Sequence, residues 1–130
     1  MELEITFPGG ARVDARFDNF IVETDQEGSA PAPFALFLAS IGTCAGYYVL
    51  EFCQKRGIPT EGICIVQRTS TDHITGMVNL IALNIQLPPR FPEKYVASVM
   101  RAAELCKVKK HLETPPVFSI FTTVTQAIPA

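Results

Sequence analysis

PAPFALFLASIGTCAGYYVLEFC, residues 31–53, carries its first charge only at Glu51, and the uncharged run behind it reaches back to Gly28. That length is in the range of a membrane span. Pro31 and Pro33 cut the run short, Ser40, Gly42, Thr43 and Gly46 interrupt it, and its flanks lack the Lys/Arg clusters that fix a spanning helix. The reading that remains is a helix apolar all round, and such a helix is buried on every side. In so short a chain that burial calls for a second copy, so a homodimer is expected and a membrane is not. Pro33 suits the first helical turn because its missing N–H would be unpaired there anyway. Gly57 suits a left-handed cap at the other end, with Pro59 preventing continuation.

Upstream, Leu3, Ile5 and Phe7 alternate with polar residues, and Val13, Ala15 and Phe17 do the same after Pro8-Gly9-Gly10. Asp18-Asn19 supplies a second turn, and Phe20 and Val22 continue the alternation into a third strand ending near Asp25. Downstream, Ile63 to Arg68 and Val78 to Leu87 have strand character and are joined by a hairpin connection at Asp72 to Gly76. Tyr95, Val99, Ala102, Ala103 and Cys106 recur at helical spacing, so a second helix is expected between Pro92 and Cys106 with one face inward. A short helical stretch follows to Glu113. After Pro115-Pro116, Val117 to Val124 is rich enough in β-branched and aromatic residues for a last strand. The order βββ-α-ββ-α-β makes the class α+β. With 130 residues, 48% of them hydrophobic, the chain has material for one core, and a single domain over residues 1–130 is expected.

A net charge of −2 leaves no basic excess for a phosphate backbone, which argues against nucleic acid as a partner. The opening MELEITFPGG is acidic where a secretory leader needs a basic start and an apolar run, so a cytoplasmic location is expected.

Four cysteines, Cys44, Cys53, Cys64 and Cys106, remain to be explained. A cytoplasmic chain with its own core has little use for disulfide staples. No two form a CxxC unit and His73 and His111 stand alone, so neither a metal nor another cofactor is expected. Cys53 and Cys64 have no unusual neighbours and read as structural. Cys44 lies in a stretch of small residues, Ala39 to Gly46, on an otherwise bulky helix. Glycine costs a helix about 1 kcal/mol relative to alanine, so something must approach closely there, a second helix across a dimer being the plainest explanation. Cys106 ends the second helix and is followed by Lys107, Lys109 and Lys110. Their charges either favour a thiolate or complement the end of the helix dipole.

The stretch 31–53, followed by AAELCKVKKHL at residues 102–112, resembles the two cysteine motifs of the OsmC/Ohr family (osmotically induced, organic hydroperoxide resistance). FPGGARVDARFDNFIVETD, residues 7–25, looks like the family's N-terminal strands, and Ile63 to Leu87 like its middle hairpin. The resemblance implies an OsmC-like fold in which two chains interlock, long helices central and sheets wrapped around them. It implies a peroxidase acting on organic hydroperoxides, with Cys44 peroxidatic, Cys106 resolving, and an external thiol or dithiol restoring both. It also implies an arginine beside the thiolate, for which Arg12 fits best and Arg16 is the substitute. Phe34, Phe37 and Tyr48 are the candidates for shaping the substrate pocket.

One departure stands out. Well-studied family peroxidases carry a glutamate near the start of the central helix to hold that arginine, and this chain has Phe34 and Ala35 there. Neither side chain accepts a hydrogen bond from guanidinium, so another group must place the arginine; Glu51 is a candidate. A second reading follows from the missing glutamate, a non-catalytic dimer that binds a small apolar or electrophilic ligand. A third is a structural dimer with inert cysteines.

Overall fold

The computed structural model describes residues 1–125. Proline starts its long helix as expected: α1 spans Pro33–Lys55, with Pro33 in the first turn and no side-chain cap from Ala32. Its other end closes on Gly57 at φ +63°. The Ile58 N–H bonds the Cys53 carbonyl at 2.9 Å and the Gly57 N–H bonds that of Gln54 at 3.3 Å, a Schellman closure that turns Ile58 back onto the core.

Before α1, three antiparallel strands form one sheet in chain order: β1 (Glu4–Gly9), β2 (Arg12–Phe17) and β3 (Phe20–Asp25). After it, β4 (Cys64–Thr71) and β5 (Val78–Gln86) form a second, two-stranded sheet. Asp72 ties their connection by accepting from the Ile74 and Thr75 amides. A 3-10 turn at Glu93–Tyr95 leads into α2 (Val96–Ala103), and α3 (Lys107–Glu113) follows. The core lies between α1, α2 and the inner face of β4–β5: Ala45, Val49, Phe52 and Cys53 meet Phe91, Val99 and Ala103, with Ile65, Leu83 and Ile85 against them.

The glycines of α1 serve this sheet. The β4 register puts Ile65 and Gln67 on the face toward the helix, opposite Ile85 and Leu83. A Cβ on Gly42 would collide with the Gln67 carboxamide oxygen, whose nitrogen donates to the Leu38 carbonyl at 2.9 Å. The close approach foreseen at Gly42 is thus made by a strand of the same chain. Gly42→Ala is expected to stabilise by less than the ~1 kcal/mol that helix propensity alone would give, because the Gln67 carboxamide, the end of a flexible side chain, must give way and loosen its bond to the Leu38 carbonyl. In a Gln67→Ala background the same change should give the full gain. Thermal unfolding of the four chains tests this, and equal effects in both backgrounds would refute the contact.

Two features depart from expectation. Val117 to Val124, read as a last strand, joins neither sheet and is exposed throughout. Its β propensity is real, but propensity alone supplies no neighbouring strand, and none pairs with it. Secondly, Cys106 does not end the second helix. α2 stops at Ala103, and Cys106 is the N-cap of α3.

Much apolar surface lacks a partner within the chain. On the N-terminal sheet, Ile5 faces Ala15 and Val22, and Phe17 faces Phe20, so alternation gathers the apolar residues on one face. That face is open: Ile5 is 54% exposed and Phe20 62%. α1 is long and apolar enough to cross a membrane by length and composition. In the single chain only five of its side chains, Ile41, Ala45, Val49, Phe52 and Cys53, are buried.

Candidate thiol site

Cys44 lies midway along α1 on the stripe that carries Phe37, Tyr48 and Glu51, at positions seven before, four after and seven after it. Gly42 and Gly46 point the other way, toward β4. Cys106 reaches this stripe from the start of α3. Its thiol donates toward the Ile41 carbonyl of α1 at 3.8 Å, and its sulfur accepts from the Lys109 N–H at 3.4 Å as the helix cap. The first amides of a helix have no internal partner. Those of Lys107 and Val108, at the start of α3, favour the charged form of the Cys44 sulfur, as does the Cys106 thiol. Both cysteines are free, Cys44 partly exposed and Cys106 only 2% exposed.

Burial pushes the Cys44 thiol up. The Val108 amide, the Cys106 thiol, the Lys107 amide and the Lys107 ammonium together outweigh it and hold Cys44 below the ordinary thiol range. Cys53 shows the contrast: it is fully buried, and burial raises its thiol against the weaker pull of Arg56. Lys107 stands at the positive end of α3 and gains nothing from the helix dipole, whereas Lys110 lies in the last turn and complements it. Of the three lysines that follow Cys106, Lys107 supplies charge to Cys44, and Lys109 pairs with Glu113.

A cavity of about 380 Å³ opens beside Cys106, between β5 and α2–α3. Ile41, Leu83, Met100, Cys106 and Leu112 give it apolar walls, and Lys109 and Glu104 stand among them.

The other expected site residues fall elsewhere. Arg12 lies on the charged face of the N-terminal sheet, with its Nη2 2.9 Å from Asp14 and 3.1 Å from Glu23. Its Nε is buried and has no partner among the described residues. Arg16 lies on the same face. Within the chain the cation beside Cys44 is therefore Lys107, because the N-terminal sheet is held away from α1. Phe34 and Phe37 stack on each other with ring centres 5.6 Å apart, and Tyr48 meets Tyr47 at 5.3 Å. None of the three lines the cavity beside Cys106. Glu51 binds Lys55 at 2.7 Å, which pulls its carboxyl down, so it does not hold an arginine here. Cys64 is exposed at the start of β4, on the face turned away from α1. Missed altogether were the α3 amides, because cysteine is not among the residues that signal an N-cap.

The sequence profile of the OsmC-like protein family matches residues 26–121, a span that holds both sulfurs and everything packed around them. The chain belongs to the OsmC family. Solved structures agree with the OsmC fold. The chain is similar to a candidate osmotic stress induced and detoxification response protein from Psychrobacter arcticus 273-4, at 19% identity and TM-score 0.71, over 83% of this chain and 85% of that one. It is similar to an OsmC like protein from Mycoplasma pneumoniae, at 12% identity and TM-score 0.70, over 88% and 87%. A hypothetical protein from Aquifex aeolicus VF5 matches at 19% identity and TM-score 0.69, over 88% and 87%. At these identities the likeness is one of fold. No match was found among curated proteins.

Proposed function

We propose that this OsmC protein is a cysteine peroxidase that reduces organic hydroperoxides, with Cys44 attacking and Cys106 resolving. The observation that carries the reading is the convergence of the two sulfurs at the start of α3, where two amides and Lys107 favour the Cys44 thiolate. The thiolate attacks the distal peroxide oxygen; the O–O bond breaks, the alkoxide takes a proton and leaves as alcohol, and Cys44 becomes a sulfenic acid. The Cys106 sulfur then attacks the Cys44 sulfur, releasing water and closing a disulfide. An external thiol or dithiol, oxidised in turn, returns both cysteines. The cavity beside Cys106 suits the apolar body of such a substrate. A cytoplasmic location supplies the reductant, and no resident cofactor is called for.

The working unit in this reading is a homodimer, which covers the open faces of α1 and of the N-terminal sheet. A second copy also offers a route for Arg12, with its open Nε, to reach a thiol site. A non-catalytic ligand-binding dimer is the second reading, favoured by Phe34 in place of the family glutamate and by the hold of Asp14 and Glu23 on Arg12. Free-thiol titration separates the two. One equivalent of cumene hydroperoxide should remove two thiols and leave a mass lower by two hydrogens; unchanged thiols would leave the binding reading in place.

Lys107→Gln is expected to raise the pH at which Cys44 reacts with iodoacetamide. The rise should be small, since the Lys107 charge is the weakest of the four favourable influences. The same linkage acts on stability: a thiol whose folded pKa is depressed adds stability that grows as pH rises toward the ordinary thiol range and is lost as pH falls through its folded value. Cys44→Ser should flatten that slope in pH-dependent denaturation.

A further inference from the structure

Beyond Lys55 the chain turns through Gly57-Ile58-Pro59, and the segment Pro88–Pro92 after β5 folds against this turn. Between them lies a cleft of about 340 Å³ whose walls include Arg56, Arg90, Lys94 and Tyr95. No acidic residue lines it. Arg56, Arg90 and Lys94 have no carboxylate partner among the described residues, a condition they share with Arg16, Arg68, Arg101, Lys107 and Lys110, but these three meet at one cleft. The chain as a whole is acidic, at net −2, so three unpaired cations around one cleft are not the margin of a basic surface.

The cations are also held in place. Arg56 Nη1 donates to the Phe52 carbonyl at 3.2 Å while its guanidinium lies 3.7 Å from the Phe52 ring centre, and Arg90 Nη2 donates to the Glu61 carbonyl. Each guanidinium commits one nitrogen and keeps the others for a ligand. The Lys94 ammonium is 5.0 Å from the Tyr95 ring centre. Pro59, Pro88 and Pro92 fix the rim, which the Phe91 N–H to Pro88 carbonyl bond at 2.9 Å and the Tyr95 N–H to Pro92 carbonyl bond at 3.0 Å brace. Glu61 meets this region through its backbone carbonyl, and neither its carboxylate nor that of Glu93 lines the cleft.

We propose that this cleft binds a phosphomonoester, its dianion held by Arg56, Arg90 and Lys94 and its organic part laid against Tyr95 and the proline rim. A dianion with three acceptor oxygens matches two forked guanidiniums and an ammonium better than a single carboxylate does. Like charges gathered without partners repel one another, and a bound anion relieves that repulsion. The site shares no residue with the thiol pair, so its occupancy does not depend on the redox reading.

Phenyl phosphate titrated into the full chain at low ionic strength tests this by amide NMR. Saturable shifts are expected at Gly57, Ile58, Arg90 and Tyr95, with a dissociation constant of about 1 mM or tighter. Arg90→Gln and Lys94→Gln should each weaken binding about tenfold, one charge-assisted hydrogen bond's worth. Arg56 also covers Phe52, so Arg56→Lys, which keeps the charge and loses the fork, is its companion variant and should weaken binding as well. Arg68→Gln on β4, with the same change in net charge, should leave it unaltered. Absence of saturable shifts, an equal loss in Arg68→Gln, or equal shifts with phenol would each overturn the proposal. Inorganic phosphate binding as tightly as phenyl phosphate would remove the organic half of the claim. Sedimentation of the chain with phosphatidic acid vesicles, undiminished by phenyl phosphate, would replace a soluble ligand with a membrane headgroup.

Discussion

Cys44→Ser is expected to reduce consumption of cumene hydroperoxide to the uncatalysed rate, because a serine hydroxyl in the same place has neither the thiolate fraction nor the soft nucleophilicity that the O–O bond requires. Cys106→Ser should behave differently. Its Cys44 still reacts, once, and stops as a sulfenic acid that dimedone traps, since nothing remains to form the disulfide. The Cys106 thiol donates toward the Ile41 carbonyl, and a serine there keeps a donor, so the first turnover of Cys106→Ser should run at close to the parent rate. Peroxide assays under added dithiol, with mass detection of the trapped adduct, read both variants. Equal residual turnover in both variants would remove the division of labour between the sulfurs.

Placing charge on the open face of the N-terminal sheet is expected to break the proposed dimer. Phe20 and Ile5 lie with Val13, Ala15, Phe17 and Val22 on that face, and both are largely exposed in the single chain. Buried aromatic anchors at interfaces are commonly worth about 2 kcal/mol or more each. Phe20→Asp should thus weaken self-association by about 30-fold or more, read as a shift from dimer to monomer in sedimentation at concentrations where the parent chain is dimeric, and Ile5→Asp should act in the same direction. A parent chain that sediments as a monomer, or a variant that sediments as the parent does, would count against this surface as the interface.

Local pattern told most of the fold. Alternation over Leu3 to Phe7 and Val13 to Phe17, Pro33 before an apolar run, Gly57 after it and Asp72 at a hairpin each act over a few residues, and each stands where the pattern put it. Three things depended on distant contacts and could not be read. Gly42 is small because Gln67, on another element, needs the space. Cys106 starts a helix because α2 breaks at Glu104–Leu105, where no proline or glycine announces it. Arg12 has its carboxylate partners across β2 and β3, so the cation beside Cys44 comes from Lys107. That Cys44 and Cys106 come together was implied by resemblance to the family and by nothing in their spacing.

The segment from Val117 to Val124 has an implication for handling the chain. No charged residue follows Glu113, and this stretch combines β-branched and aromatic side chains with an unpaired backbone. Such windows nucleate cross-β assembly wherever they stay uncovered. Pro115 and Pro116 act as gatekeepers on one flank only. A partner lying over those eight residues would close that route, and a preparation that leaves them bare is expected to be the more prone to fibrils.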